Sequence, residues 1–230
     1  MIAFWILFLL IILISALLAF LSMKDFRQEP QQFNQDNGLF LIRKPFALSS
    51  KLFDYLHQSC RKLGLIISLE RLFKGGESAL VIYGPKNILL ALAQSLDLIE
   101  LEDYSQKDFG ILAWEMGVSG NTPFQKESLF LDFPRLLSGE QVWYQIVLQA
   151  QKGRVKQFIA QIRVIILISD EHRKKMVSST LHRRGSLIKI PQKFSSLQIV
   201  DFYQKRSIAG RSHVKLTGEE IVKIWSLPKS

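Results

Sequence analysis

The sequence predicts an α+β protein behind an N-terminal transmembrane helix. Three observations carry this reading. Residues 2–23 contain no charged side chain. After residue 38, apolar residues recur either at every second position or at every third to fourth, the periods of strands and helices. Glycine or proline stands at most of the switches between the two.

From Ile2 to Met23 the residues are almost all Ile, Leu, Phe, Ala and Trp. At about 1.5 Å of rise per residue they make a helix roughly 33 Å long, enough to cross a hydrocarbon core about 30 Å thick. A cleaved signal normally opens on a basic region and has a shorter apolar stretch. No Lys or Arg precedes this run, although Ser15, Ala16, Ala19 and Ser22 keep a cleavage region open as an alternative, and a buried core helix is a third. Lys24 and Arg27 follow the helix. The positive-inside bias therefore sets a single-pass protein of the cell (inner) membrane, N-terminus outside and residues 24–230 in the cytoplasm.

All 30 basic and 20 acidic residues lie after Met23, so the net charge of +10 belongs to the body that follows. Such a surface suits anionic lipid, nucleic acid or plain solubility. The lone cysteine, Cys60, excludes an internal disulfide framework and has no neighbours at metal-ligand spacing.

Residues 24–38 are polar, with Pro30 and Gly38 as breakers, and read as a flexible tether. Leu39–Arg43 reads as a strand bounded by Pro45, and Ala47–Leu63 as a one-sided helix through Leu48, Leu52, Leu56, Cys60 and Leu63, stopped by Gly64. Leu65–Phe73 and Ser78–Tyr83 form a hairpin across Lys74-Gly75-Gly76-Glu77, ended by Gly84-Pro85. Lys86–Leu96 has helical spacing. Leu98–Asp103 alternates, with Ile99 and Leu101 inward and Glu100 and Glu102 outward. The order over 39–106 is that of a ferredoxin-like βαββαβ subdomain.

Residues 107–230 read as a second, related α/β sandwich ending in a capped helix. Phe109–Val118 is a strand, Ser119–Pro123 a loop, and Leu129–Leu137 a strand or short helix. Gln141–Ala150 and Val155–Ile168 pair as a long hairpin across Lys152-Gly153, and a helix runs from Ser169 to about Arg184, where Gly185 stops it. Residues 187–216 suggest one more strand and loops.

Searches for chemistry are negative. Gly75-Gly76-Glu77-Ser78 puts an acid where a phosphate-binding loop needs lysine, and Gly84-Pro85-Lys86 lacks the preceding glycine and the hydroxyl. His57, His172, His182 and His213 are scattered, with no spacing that fixes a zinc. Glu100, Glu102 and Asp103 read as a solvated strand edge. No catalytic residue, metal or cofactor is expected.

The strongest local signal is basic. Between 151 and 190 stand ten cations against Asp170 and Glu171, a local balance of +8. Lys152, Arg154 and Lys156 open a strand, Arg173, Lys174, Lys175, Arg183 and Arg184 lie on the helix after it, and a contiguous patch for anionic lipid or nucleic acid would follow if they meet. The competing reading is a solvated helix face. Few aromatics interleave, which weighs against stacking on single strands.

The most specific stretch is Leu216-Thr217-Gly218-Glu219-Glu220-Ile221-Val222-Lys223-Ile224-Trp225-Ser226-Leu227-Pro228. Thr217 and Glu220 have the spacing of a capping box, Ile221, Ile224 and Trp225 make an apolar stripe, and Pro228 ends the helix. It resembles the segment just before the motor domain in membrane-anchored ATPases of type IV secretion and conjugative DNA transfer, particularly coupling-protein-like ones. An N-terminal membrane helix and, more faintly, the strand pair and helix over 142–184 share the resemblance. Ser226 stands where that family usually has His. The sequence stops two residues after Pro228, about where the nucleotide-binding domain would begin, so the family's ATP hydrolysis does not carry over.

The resemblance implies a membrane-anchored, non-enzymatic docking or assembly domain of a secretion or DNA-transfer machine. Its partners would be membrane lipid and an ATPase or another secretion-machine protein, with homo-oligomerisation following from the family's hexameric motor. The alternative is a stand-alone membrane-associated binder of anionic lipid or nucleic acid through the basic residues.

Overall fold

The computed structural model describes residues 14–15, 36–103, 110–118, 134–153, 155–184, 187–191, 193–209 and 213–225. Two units result, Met1–Asn34 and Gln35–Ser230. Of the expected membrane segment only Ile14 and Ser15 are described, and they are helical; the remainder, with Lys24 and Arg27, lies outside the described residues. Among the described residues no helix is long and apolar enough to cross a membrane.

The second unit is an α+β fold built on one antiparallel sheet. Its strands are β1 (Asn37–Ile42), β2 (Ile66–Lys74), β3 (Glu77–Pro85), β4 (Leu98–Leu101), β5 (Ile111–Val118), β6 (Gln141–Ala150), β7 (Gln157–Leu167), β8 (Arg183–Arg184), β9 (Leu187–Lys189) and β10 (Val214–Thr217). The helices are α1 (Ser50–Arg61), α2 (Lys86–Leu90), α3 (Ala93–Leu96), α4 (Glu171–Leu181), α5 (Ser196–Gln204) and α6 (Gly218–Trp225). Nine strands lie in the order β4-β1-β3-β2-β6-β7-β5-β9-β8, and β10 pairs with β7. β7 thus has β6 on one edge and shares the other between β5, opposite Ile162–Leu167, and β10, opposite Gln157–Ala160.

The first four strands, with α1 and the α2–α3 pair between them, follow the expected β-α-β-β-α-β order, laid out as 4-1-3-2. Gly64 (φ +66°) and Gly75 (φ +56°) take the left-handed backbone that ends α1 and turns the β2–β3 hairpin. Among the described residues the second half departs from that order, because three strands, β5, β6 and β7, precede its first helix. The two halves share the sheet through β2 and β6, paired from Ile66↔Gln149 to Lys74↔Gln141.

Period-two alternation sends adjacent rows to opposite faces. Phe40, Ile82, Leu69, Ile146, Ile162 and Met116 stand in register across six strands and are all buried. They form the main core with Leu52, Phe53 and Leu56 of α1, Leu89 of α2, Leu96 of α3, Val177 and Leu181 of α4, and Ile221, Ile224 and Trp225 of α6. Each such side chain contributes roughly 1.5–3 kcal/mol of hydrophobic stabilisation. The opposite face carries a smaller core of Ala113, Trp143, Ile165 and Leu167 under Ile199, Val200 and Tyr203 of α5.

Several expectations are corrected. The helix read over Lys86–Leu96 is two short ones, α2 and α3, and Asp97 leaves it in the left-handed region (φ 52°). β4 ends at Leu101, and Ile99 is 42% exposed: register with Ile42 sets Leu98 against the main core, so Ile99 points to the other face of an edge strand. α4 is capped by Asp170, whose side chain accepts from Arg173 N, so it begins at Glu171 and not at Ser169; it ends before Arg183–Arg184, which turn extended and pair with β9. Residues 187–216 contain α5 as well as β9 and β10. Its cap is reciprocal: Ser195 accepts from Gln198 N while the Gln198 side chain accepts from Ser195 N. The readings at Ser119–Pro123 and Leu129–Phe133 lie outside the described residues, and 134–140 carry neither helix nor strand.

Candidate functional site

The densest cluster of polar side chains is on the α5 face of the sheet. One residue along from the apolar row, Glu70 of β2, Gln145 of β6, Arg163 of β7 and Glu115 of β5 stand directly opposite one another. All four are buried, as is Gln161. A buried charge survives only when paired and hydrogen-bonded, and here the row is wired end to end. Gln145 Nε2 donates to Glu70 Oε1 at 3.1 Å, and Arg163 Nη1 to Gln145 Oε1 at 2.9 Å. Arg163 Nη2 donates to Gln161 Oε1 at 2.6 Å, and Gln161 Nε2 to Glu115 Oε1 at 2.6 Å.

The remaining donors of the row reach one stretch of backbone. Gln145 donates to the carbonyl of Tyr203 (2.8 Å), Arg163 to those of Phe202 (3.0 Å) and Ser207 (2.5 Å), and Gln161 to that of Ala209 (2.6 Å). Ala209 N returns a bond to Gln161 Oε1 at 2.9 Å. Arg206, with φ 50°, turns its guanidinium back to the first half of the chain. Its Nε donates to Glu70 Oε1 at 2.9 Å, and Nη1 and Nη2 engage the two oxygens of Asp103 at 2.9 and 2.8 Å. The guanidinium also lies over the Tyr83 ring, 4.2 Å from its centroid.

Burial dominates the electrostatics. It raises Glu70 above the usual carboxylate range against the opposing charge of Arg206 and bonds from Gln145 and Ser68. It pushes Glu115 up to about 7 against the charges of Arg163 and Lys193, and Arg163 down to about 10. For Arg206 burial acts downward, but hydrogen bonding to Asp103 and the charge of Glu70 outweigh it and leave the group above an ordinary arginine. Glu70 Oε2 is buried without a hydrogen-bond partner among the described residues. The row holds residues 202–209 against the sheet, and its hydrogen bonds end on that backbone rather than on an open surface.

The expected basic residues fall into two places. Lys152 and Lys156 lie at the turn between β6 and β7; Lys152 is exposed and Lys156 pairs with Asp54 of α1 at 2.8 Å. Arg173 lies beyond the other end of β6, where Nε and Nη2 clamp the two oxygens of Glu140 at 2.9 and 2.7 Å and Nη2 also reaches the Arg135 carbonyl. The 10 residues of β6 between them span roughly 33 Å, so the hairpin does not bring Lys152 and Arg173 together. Lys174 is buried and paired with Glu171, and Lys175 is exposed. Arg183 and Arg184 supply the backbone of β8; their side chains, and Arg154, lie outside what is described.

The terminal motif is an integral part of the fold. Glu220 Oε2 accepts from Thr217 N at 2.7 Å and from Thr217 Oγ1 at 2.9 Å, and Thr217 Oγ1 accepts from Glu220 N at 3.3 Å, a reciprocal capping box. Ile221, Ile224 and Trp225 are buried, and Gly218 sits so close to α1 that a Cβ there would lie 2.8 Å from Phe53 Cβ. Pro228 lies outside the described residues.

Sequence reasoning missed Glu70, Gln145, Gln161, Arg163 and Glu115 as a group. The available signal was a polar residue set between apolar ones in the middle of each of four strands, such as Gln145 between Tyr144 and Ile146 and Glu115 between Trp114 and Met116. Among the described residues no group of three or more His, Cys, Asp or Glu side chains is placed to hold a metal ion. No protein-family model matches the chain, and no curated protein matches it.

Proposed function

We propose that this chain is a membrane-anchored, non-enzymatic docking domain of a secretion-like or conjugative DNA-transfer machine. Residues 2–23 span the membrane with the N-terminus outside, 24–38 form the tether, and the sheet-based body lies on the cytoplasmic side with a ferredoxin-like βαββαβ subdomain at its start. The single observation that carries the reading is the closing segment. The residues that resemble the pre-motor segment of such ATPases, Thr217 to Trp225, make a capped helix seated on α1 rather than a loose tail. A rigid exit of this kind suits a body that positions a motor. The buried polar row supports a non-enzymatic role, because its donors hold backbone between Phe202 and Ala209.

The test has two arms. Membranes from cells producing the full chain are extracted with alkaline carbonate, and a reporter fused after Ser230 is assayed on both sides; the chain stays with the membrane and the reporter is active only inside. Crosslinking in those membranes then recovers a Walker-containing ATPase. A reporter active only outside overturns the orientation, and recovery of no ATPase overturns the docking role.

A further inference from the structure

One corner of the sheet-based unit gathers apolar tips and four cations that no acid among the described residues pairs. α1 buries Leu52, Phe53, Leu56, His57 and Cys60 and turns Lys51, Tyr55, Gln58 and Lys62 to solvent, the i, i+4, i+7, i+11 spacing of one helical stripe. Arg61 and Leu63 flank its end and are exposed. The turn between β6 and β7 is held along this helix by three contacts. Lys156 Nζ meets Asp54 at 2.8 Å, His57 Nε2 donates to the Gln157 carbonyl at 3.1 Å, and Gln149 Nε2 donates to the Gly64 carbonyl at 3.4 Å.

That turn adds exposed Lys152 and Val155 to the same corner. Leu63 and Val155 are 53% and 62% exposed. Lys51, Arg61, Lys62 and Lys152 have no ion-pair partner among the described residues, and Asp54, the one acid of α1, is already taken by Lys156.

We propose that this corner contacts an anionic bilayer surface, with Leu63, Val155 and the Tyr55 ring entering the headgroup layer and Lys51, Arg61, Lys62 and Lys152 over the lipid phosphates. The proposal rests on the membrane anchor of the preceding section, which keeps the body within reach of a leaflet. The charge is complementary to anionic headgroups, and juxtamembrane cations each add roughly a fivefold gain in partitioning. Two features select lipid over nucleic acid. Branched aliphatic tips gain from entering the acyl boundary and offer no ring for a base to stack on, and a tyrosine at the rim has the amphipathic character of interface aromatics.

The experiment uses the full chain carrying Val155→Cys labelled with an environment-sensitive fluorophore, reconstituted into phosphatidylcholine vesicles with and without phosphatidylglycerol. Buried Cys60 is retained, and labelled chain without Val155→Cys sets the background. The label shifts to the blue with phosphatidylglycerol and not without it. K51E/K62E lowers the labelled fraction in contact by roughly tenfold or more, while K175E, on α4, leaves it unchanged. Identical spectra in the two vesicles, or a K51E/K62E protein that behaves like its parent, overturns the proposal. A shift produced by duplex DNA in neutral vesicles overturns it in favour of nucleic acid. Carbonate extraction of the same vesicles reports the anchor separately, so an inserted chain with an unresponsive label condemns the contact and not the anchor.

Discussion

Arg206 and Glu70 stand 136 positions apart in the chain, yet Arg206 Nε donates to Glu70 Oε1 at 2.9 Å inside the protein, with both side chains almost wholly withdrawn from water. The pair joins the segment after α5 to a strand of the first half. Removing the cation leaves a buried carboxyl without its partner, and breaking such a pair costs about 3–5 kcal/mol. Arg206→Ala therefore lowers the unfolding free energy measured by urea denaturation by that much, and adding Glu70→Gln recovers part of the loss. A double-mutant cycle showing no coupling between 206 and 70 contradicts the assignment.

Glu115 gives stability a pH dependence of unusual sign. Its carboxyl keeps a proton up to about 7 when folded, against the ordinary 4.5. Between those values the folded state binds more protons than the unfolded one. Its contribution is therefore complete below about 4.5 and is lost as pH rises through about 7, a change of roughly 3 kcal/mol. Denaturation midpoints of the native chain and of Glu115→Gln are expected to converge in acid and to separate above pH 7, with Glu115→Gln the more stable. Parallel curves refute this.

Glu140 acts in the opposite direction. Hydrogen bonding from Arg173 holds its carboxyl below the usual range, so its contribution is present above the unfolded value and disappears as pH falls through the folded one. Arg173→Gln is expected to reduce the acid sensitivity of unfolding, measured as the slope of the melting temperature below pH 5, while leaving the slope above pH 7 intact.

The closing helix provides two further tests. Thr217→Ala removes the acceptor for Glu220 N and is expected to cost about 1 kcal/mol, with Thr217→Ser nearly neutral. Gly218→Ala is costlier, about 1–3 kcal/mol, because its methyl would lie 2.8 Å from Phe53 Cβ and 3.2 Å from the Ser50 carbonyl. Thermal melts that rank Gly218→Ala above the native protein contradict the packing of α6 on α1.

Where local pattern and final environment agree, the sequence is a good guide. β2, β3, β6 and β7 were readable because their apolar residues alternate and their turns carry Gly75-Gly76 and Gly153; the Thr217–Glu220 box was readable because capping is a four-residue affair. α5 was not, although Ser195 and Gln198 spell its cap, since it is only nine residues long and lies among serines, a proline and a glycine that suggest loops. Missing α5 hid the polar row as well. Gln145 and Arg163 read as the wet side of their strands until a covering segment is known. The basic residues illustrate the reverse error, because Lys152 and Arg173 stand on either side of β7 in the sequence and that strand carries them to opposite ends of the hairpin.

The placement of that polar row bears on how the chain is made. The parts that close the α5 face, residues 196–209, leave the ribosome after nearly all of the sheet. Until they arrive, the growing sheet shows water the side chains of Glu70, Gln145, Gln161, Arg163 and Glu115 in the middle of its uncovered side. An apolar surface there would invite partly synthesised copies to stick to one another. The hydrated row confines that surface to the patch of Trp143, Ile165 and Leu167, which α5 covers when it arrives.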